Sequence, residues 1–158
     1  MNEAMQAASK KVFDTICAAM RNLQYPFGAV SEFEINFTVS GKDIPMRFSM
    51  EVVAEKQIVV LYSPLPFTVE SDKVKELAIA LSSINYRLAD GSFDYDIPSG
   101  AISFRMTANY LDSEIGAELL DYMIRCSVMT VDRYNDKLLM LSRGLISLEE
   151  FHSEIGFQ

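Results

Sequence analysis

LAIALSSINYRLADGSFDYDIPSGAISFRM, residues Leu77 to Met106, changes its hydrophobic period halfway along, and that change sets the fold class. The first half carries apolar residues at Leu77, Ala78, Leu81, Ile84 and Leu88, with Val74 one turn upstream. That three-and-four spacing turns one stripe of a helix toward a core. Asp90-Gly91 ends the helix. Two alternating runs follow, Phe93, Tyr95, Ile97 and Ile102, Phe104, Met106, with polar residues between them, the pattern of a half-buried antiparallel pair. Because strand side chains alternate with period two, only an even loop keeps both apolar sets on one face. A four-residue loop, Pro98 to Ala101, meets that demand. It predicts the pairs Ile97 with Ile102, Tyr95 with Phe104 and Phe93 with Met106, and sets Asp94 opposite Arg105.

Working upstream, Met5, Ala8, Val12, Ile16, Ala19, Met20 and Leu23 trace a first helix from Asn2 to about Gln24. Tyr25-Pro26-Phe27-Gly28 ends it, and a linker runs to Ser31. Glu32 to Ser40 and Ile44 to Val52 alternate apolar and polar residues, giving two one-sided strands joined by Gly41-Lys42-Asp43. Ile58 to Tyr62 is apolar on both faces, which marks a central strand or one whose second face meets a partner. Pro64 and Pro66 hold Ser63 to Phe67 extended, and Thr68 or Ser71 is the expected N-cap of the second helix.

Downstream, Ser113 to about Ser142 predicts a long third helix with its stripe at Ile115, Leu119, Tyr122, Met123, Cys126, Met129, Tyr134, Leu138 and Leu141. Asp112, Glu114, Glu118 and Asp121 load its start, and Arg125, Arg133, Lys137 and Arg143 its end, as the helix dipole favours. Gly144 closes it, and Ser147 with Glu150 forms a capping box for a short last helix containing Phe151 and Ile155. The expected architecture is α+β: an antiparallel five-stranded sheet covered by helices, in the order α-βββ-α-ββ-α(-α). It forms one domain over residues 1–158, with a short C-terminal helical tail at about 145–158.

At 158 residues the chain is long enough to bury a core without metal or disulfide help, and 49% apolar with 23% charged residues is an ordinary globular composition. A net charge of −8 disfavours phosphate neutralisation, so nucleic acid is not an expected partner. The longest apolar run is far short of the roughly 20 residues of a membrane helix, and the N-terminus carries no secretory signal pattern; the expected location is the cytoplasm. Cys17 and Cys126 read as reduced, buried thiols in no metal spacing. Of the nine methionines, Met46, Met50, Met106 and Met123 fall on core faces, while Met5 and Met20 are the candidates for a partner-facing role.

No catalytic, cofactor or metal constellation stands out. Asp90, Ser92, Asp94 and Asp96 mimic a calcium loop, but the sixth-position glycine and twelfth-position glutamate are missing. His152, the only histidine, reads as a surface residue. Phosphate-loop, dinucleotide and nucleophile-elbow motifs are absent.

Two passages go beyond pattern: Ile84-Asn85-Tyr86-Arg87-Leu88 running into Gly91-Ser-Phe-Asp-Tyr-Asp96, and Thr130-Val-Asp132-Arg133-Tyr134. Together they resemble the YbjN-like family, named "putative bacterial sensory transduction regulator". That family is similar in fold to the type III secretion chaperones, small acidic homodimers with the same element order. The resemblance spans roughly Phe33 to Leu141, and its motif positions Asn85, Tyr86, Arg87, Asp132, Arg133 and Tyr134 bring no chemical role with them. It implies a non-enzymatic protein-binding or regulatory module without cofactor, dimeric through the second helix and neighbouring strands. A protein client or signalling partner would lie on a sheet edge or the first helix. The alternative is a stress or signalling regulator that binds a small ligand between sheet and helices, and an enzyme of unrecognised type comes third.

Overall fold

The computed structural model describes residues 3–156; the expected helix start at Asn2 and the last two residues of the tail lie outside them. The elements are α1 (Glu3–Asn22), β1 (Phe27–Ala29), β2 (Glu34–Ser40), β3 (Pro45–Val53), β4 (Ile58–Thr68), α2 (Val74–Arg87), β5 (Ser92–Asp96), β6 (Ala101–Asn109), α3 (Ala117–Ser142) and α4 (Leu148–Glu154). The sheet has six antiparallel strands in the order β1-β2-β3-β4-β6-β5, so the five-strand expectation is one short. The added strand is β1, in the stretch read as a linker: Phe27, Gly28 and Ala29 pair with Phe37, Asn36 and Ile35 on the free edge of β2.

The alternating strands behave as their pattern dictates. Ile35 and Phe37 of β2 and Met46, Phe48, Met50 and Val52 of β3 are buried, while Asn36, Thr38, Arg47 and Glu51 look outward to solvent. Of the two roles open to Ile58–Tyr62, the structure gives the first: β4 lies between β3 and β6. Its pairing with β3 reaches only Tyr62, so Pro64 and Pro66 fall where no β3 acceptor awaits an N–H.

The hairpin register differs from the expected one by two residues. Phe93 faces Phe104, Tyr95 faces Ile102, and Asp96–Ala101 closes a four-residue loop of Ile97, Pro98, Ser99 and Gly100. Gly100, at φ 73°, donates its N–H to the Asp96 carbonyl at 2.8 Å and accepts from Val69 N at 2.9 Å. A Cβ on it would lie 2.4 Å from the Val69 carbonyl oxygen, so a left-handed glycine is required there and fixes the loop. The slip, being even, keeps Phe93 on the buried face and expels only Ile97, now 54% exposed. The Arg105–Asp94 ion pair forms diagonally, since Arg105 lies opposite Ser92.

The helices start later than expected. Neither Thr68 nor Ser71 caps α2: Thr68 is the last residue of β4, Ser71 opens a single 3₁₀ turn, and Lys73 precedes the helix without a side-chain cap. α3 begins at Ala117 after an extended Gly116, leaving Asp112 and Glu114 ahead of the helix. Buried Ile115 and Leu120 flank that start in the spacing of a hydrophobic staple. Only α4 is capped as read, with Ser147 Oγ accepting from Glu150 N at 3.2 Å and Glu150 Oε2 accepting from Ser147 N at 2.7 Å.

α3 is also rotated from its expected phase. Its inward face is Leu120, Met123, Ile124, Ser127, Thr130, Val131, Tyr134, Leu138 and Leu141, whereas Tyr122 and Met129 point out. Met20, expected to face a partner, is fully buried, while Met5 is half-buried. Cys17 is buried, Cys126 only half-buried, and both are free. No helix among the described residues is long and apolar enough to cross a membrane.

Candidate functional site

The six motif positions lie on the last turn of α2 and midway along α3, and three of them hold the fold. Asn85 grips the edge strand: its Nδ2 donates to the Phe93 carbonyl at 2.9 Å and its Oδ1 accepts from Phe93 N at 2.8 Å. Asp132 accepts at Oδ2 from Lys42 N at 2.9 Å, tying α3 to the β2–β3 turn. Gly41 in that turn lies so close that a Cβ would meet Asp132 Oδ1 at 2.5 Å. Tyr134 is buried, its ring edge-on to Phe93 with centroids 6.1 Å apart.

The other three face outward. Tyr86 is 85% exposed. Arg87 donates from one terminal nitrogen to the Ile155 carbonyl at 2.9 Å, and Arg133 holds its guanidinium 5.5 Å from the centre of the Tyr134 ring. Neither arginine forms an ion pair among the described residues.

Arg87 and Arg133 border a groove of about 640 Å³ between α2 and α3, with Leu88, Ala89, Tyr122, Arg125, Cys126 and Met129 completing its walls. Two contacts set the helices antiparallel. Tyr122, early in α3, donates its hydroxyl to Asp90 Oδ2 at 3.1 Å just past the end of α2, and Arg143, past the end of α3, pairs with Glu70 at 3.2 Å ahead of α2. The bond to Asp90 holds the Tyr122 phenol above its ordinary pKa, because ionisation would set two negative charges side by side. Met129 is 72% exposed and Tyr122 48%; on α2, Ile79, seven residues before Tyr86, is 49% exposed. The groove thus gathers Tyr122, Met129 and three arginines in a chain of net charge −8.

Sequence reasoning marked Arg87 and Arg133 but placed Tyr122 and Met129 in the core and passed over Arg125 as a binding group. The available signal was an excess: Ile115 to Met129 holds more apolar positions than one helical stripe can bury.

His152 is half-buried, not a free surface residue, and its Nε2 lies 2.9 Å from Ser83 Oγ. Ser83 already donates its hydroxyl proton to the Ile79 carbonyl at 2.9 Å, so the imidazole N–H donates to Ser83 and the pair joins α4 to α2. A serine whose proton is held by its own helix is not poised as a nucleophile. A second hollow, about 440 Å³, lies against α1 between Lys11, Thr15, Tyr110 and Glu114; the Lys11–Glu114 pair at its mouth spans 3.6 Å and is solvent-exposed.

The profile of the YbjN family, described as "putative bacterial sensory transduction regulator", matches residues 13–140. Among solved structures the chain is similar to YbjN from E. coli, with 12% identity and a TM-score of 0.59 over 84% of this chain and 92% of that one. A chain of the ExsC–ExsE complex is similar at 14% identity and a TM-score of 0.60, over 82% of this chain and 95% of that one. A chain of the HopA1–SchA chaperone–effector complex gives 13% and 0.54, over 91% and 96%. No curated protein matches the sequence. At these identities the structural likeness speaks to the fold alone.

Proposed function

This chain belongs to the YbjN family, and from that premise we propose that it is a non-enzymatic module that works by holding a protein partner, as a chaperone or a regulator does. The observation that carries the reading is the groove between α2 and α3, where Tyr122 and Met129 stand exposed beside Arg87, Arg125 and Arg133. Clustered apolar side chains without cover mark contact sites, and tyrosine and arginine dominate the binding energy of such sites. The ExsC–ExsE and HopA1–SchA structures are both complexes between proteins, which supports the reading by fold. The module acts in the cytoplasm, where Cys17 and Cys126 stay reduced.

The module is a homodimer. Ile79 and Tyr86 lie one heptad apart on α2 and form the centre of the self-contact, with the neighbouring strands completing the roughly 800 Å² per partner of a standard interface. Light scattering tests the dimer: the expected mass is twice 17.8 kDa at micromolar concentration, falling to 17.8 kDa on Ile79→Asp. A monomer mass for the unaltered chain across that range removes it. Photo-crosslinking from a benzophenone side chain at Met129, in the native host, tests the wider reading. Discrete adducts to a different protein are expected there and not from Thr107 on the open sheet face, and their absence at Met129 overturns it.

A further inference from the structure

We propose that the groove between α2 and α3 receives an acidic amphipathic helix of a partner protein; this rests on the protein-binding reading above and names the chemistry of its site. Two antiparallel helices leave a trough into which a third can lay its apolar face. Leu88, Ala89, Tyr122, Cys126 and Met129 supply apolar lining along it, and it stays clear of Ile79 and Tyr86, the α2 residues assigned to the self-contact.

The arginines decide the charge of the occupant. Arg87 is anchored on a carbonyl and Arg133 on an aromatic ring, so each is held in place with no ion-pair partner among the described residues. Arg125 is bound to Asp121 through Nε at 2.7 Å and keeps its terminal nitrogens for a second acceptor. Positioned guanidinium forks match carboxylates two donors at a time. The net charge of −8 repels nucleic acid and anionic membranes over distances where this local arginine rim does not act, which leaves carboxylates on a short segment as the complement.

The test displays a library of random 16-residue peptides against the full-length protein and measures the affinity of the selected sequences by fluorescence anisotropy. The expected binders carry Asp or Glu three or four residues from large apolar anchors, and weaken as salt rises. Arg87→Glu with Arg133→Glu lowers their affinity by about tenfold or more, and replacing the peptide's acids with lysine restores binding to that variant alone. Because Arg87 also holds Ile155, Arg133→Glu by itself, at an exposed position, serves as the control for folding, with a smaller loss in the same direction. Selection of neutral or basic peptides, binding unchanged by the charge reversals, or no selected peptide at all overturns the proposal. Where the Met129 crosslinks to a different protein still form, the protein-binding reading survives that failure and the acidic-helix assignment alone falls.

Discussion

Replacing Asn85 with alanine removes both hydrogen bonds by which α2 holds the start of β5. β5 is the outermost strand beyond β6, and at Phe93 its backbone N–H donates to Asn85 Oδ1 at 2.8 Å while its C=O accepts from Asn85 Nδ2 at 2.9 Å. A hydrogen bond of this kind contributes about 1 kcal/mol net, so the pair amounts to about 2 kcal/mol, a sizeable share of a typical domain stability of roughly 5–15 kcal/mol. For a chain of this size that lowers the melting temperature by about 4–8 °C. Asn85→Asp keeps the acceptor and loses the donor, so about half of the effect is expected. Urea denaturation gives the free energy, and amide hydrogen exchange at Phe93 gives the location, with faster exchange at Phe93 than at Phe104 on the inner strand. A loss below about 0.5 kcal/mol with Phe93 protection unchanged would refute the assignment of Asn85 as the clasp of the edge strand.

Leu81 is buried on the inward face of α2, and Leu81→Asp places an unpaired carboxylate in the core at a cost of several kcal/mol; aggregation or loss of the cooperative transition is expected, and a soluble, cooperatively folded variant contradicts the helical phase. Ser147, through its backbone N–H first and its hydroxyl second, holds the Glu150 carboxyl below its ordinary pKa. A depressed folded-state pKa means that the capping contribution is complete above the ordinary carboxylate range and is lost as pH falls through the lower folded value. Amide exchange in α4 should therefore accelerate on acidification, and Glu150→Gln should remove that dependence; identical pH profiles for the two proteins would exclude Glu150 as its source.

The element order was legible because strands and helices announce themselves by period. Phe33 to Val39, Met46 to Val52 and Phe93 to Met106 could not alternate as they do in a helix. What stayed hidden depended on contacts between distant segments. Phe27-Gly28-Ala29 is too short and too mixed to read as a strand, and it becomes one because β2 offers a free edge to Phe27 opposite Phe37. The loop of the hairpin is fixed by Val69, 31 residues from Gly100 in sequence, whose backbone closes on that glycine. Period two preserved the face while tertiary contact moved the register, so an argument from alternation alone was right about sides and wrong about pairs.

The candidate site was hidden by the same ambiguity of phase. On α3 the small hydroxyl residues Ser127 and Thr130 are buried and Tyr122 and Met129 are exposed, the reverse of their hydrophobic ranking. Ser127 satisfies its hydroxyl on the Met123 carbonyl at 2.8 Å, so the inward face accepts it without an orphaned donor. Met129, 72% exposed, gains little from the folding of this chain: fully burying a side chain of its size contributes about 1.5–3 kcal/mol, most of which is realised only when something covers it. A helix that turns such residues away from its own core therefore reserves that free energy for association. On the proposed reading the arginines beside them decide which charge the covering surface carries, and the outward phase of α3 is then the link between the sequence and that proposed binding role.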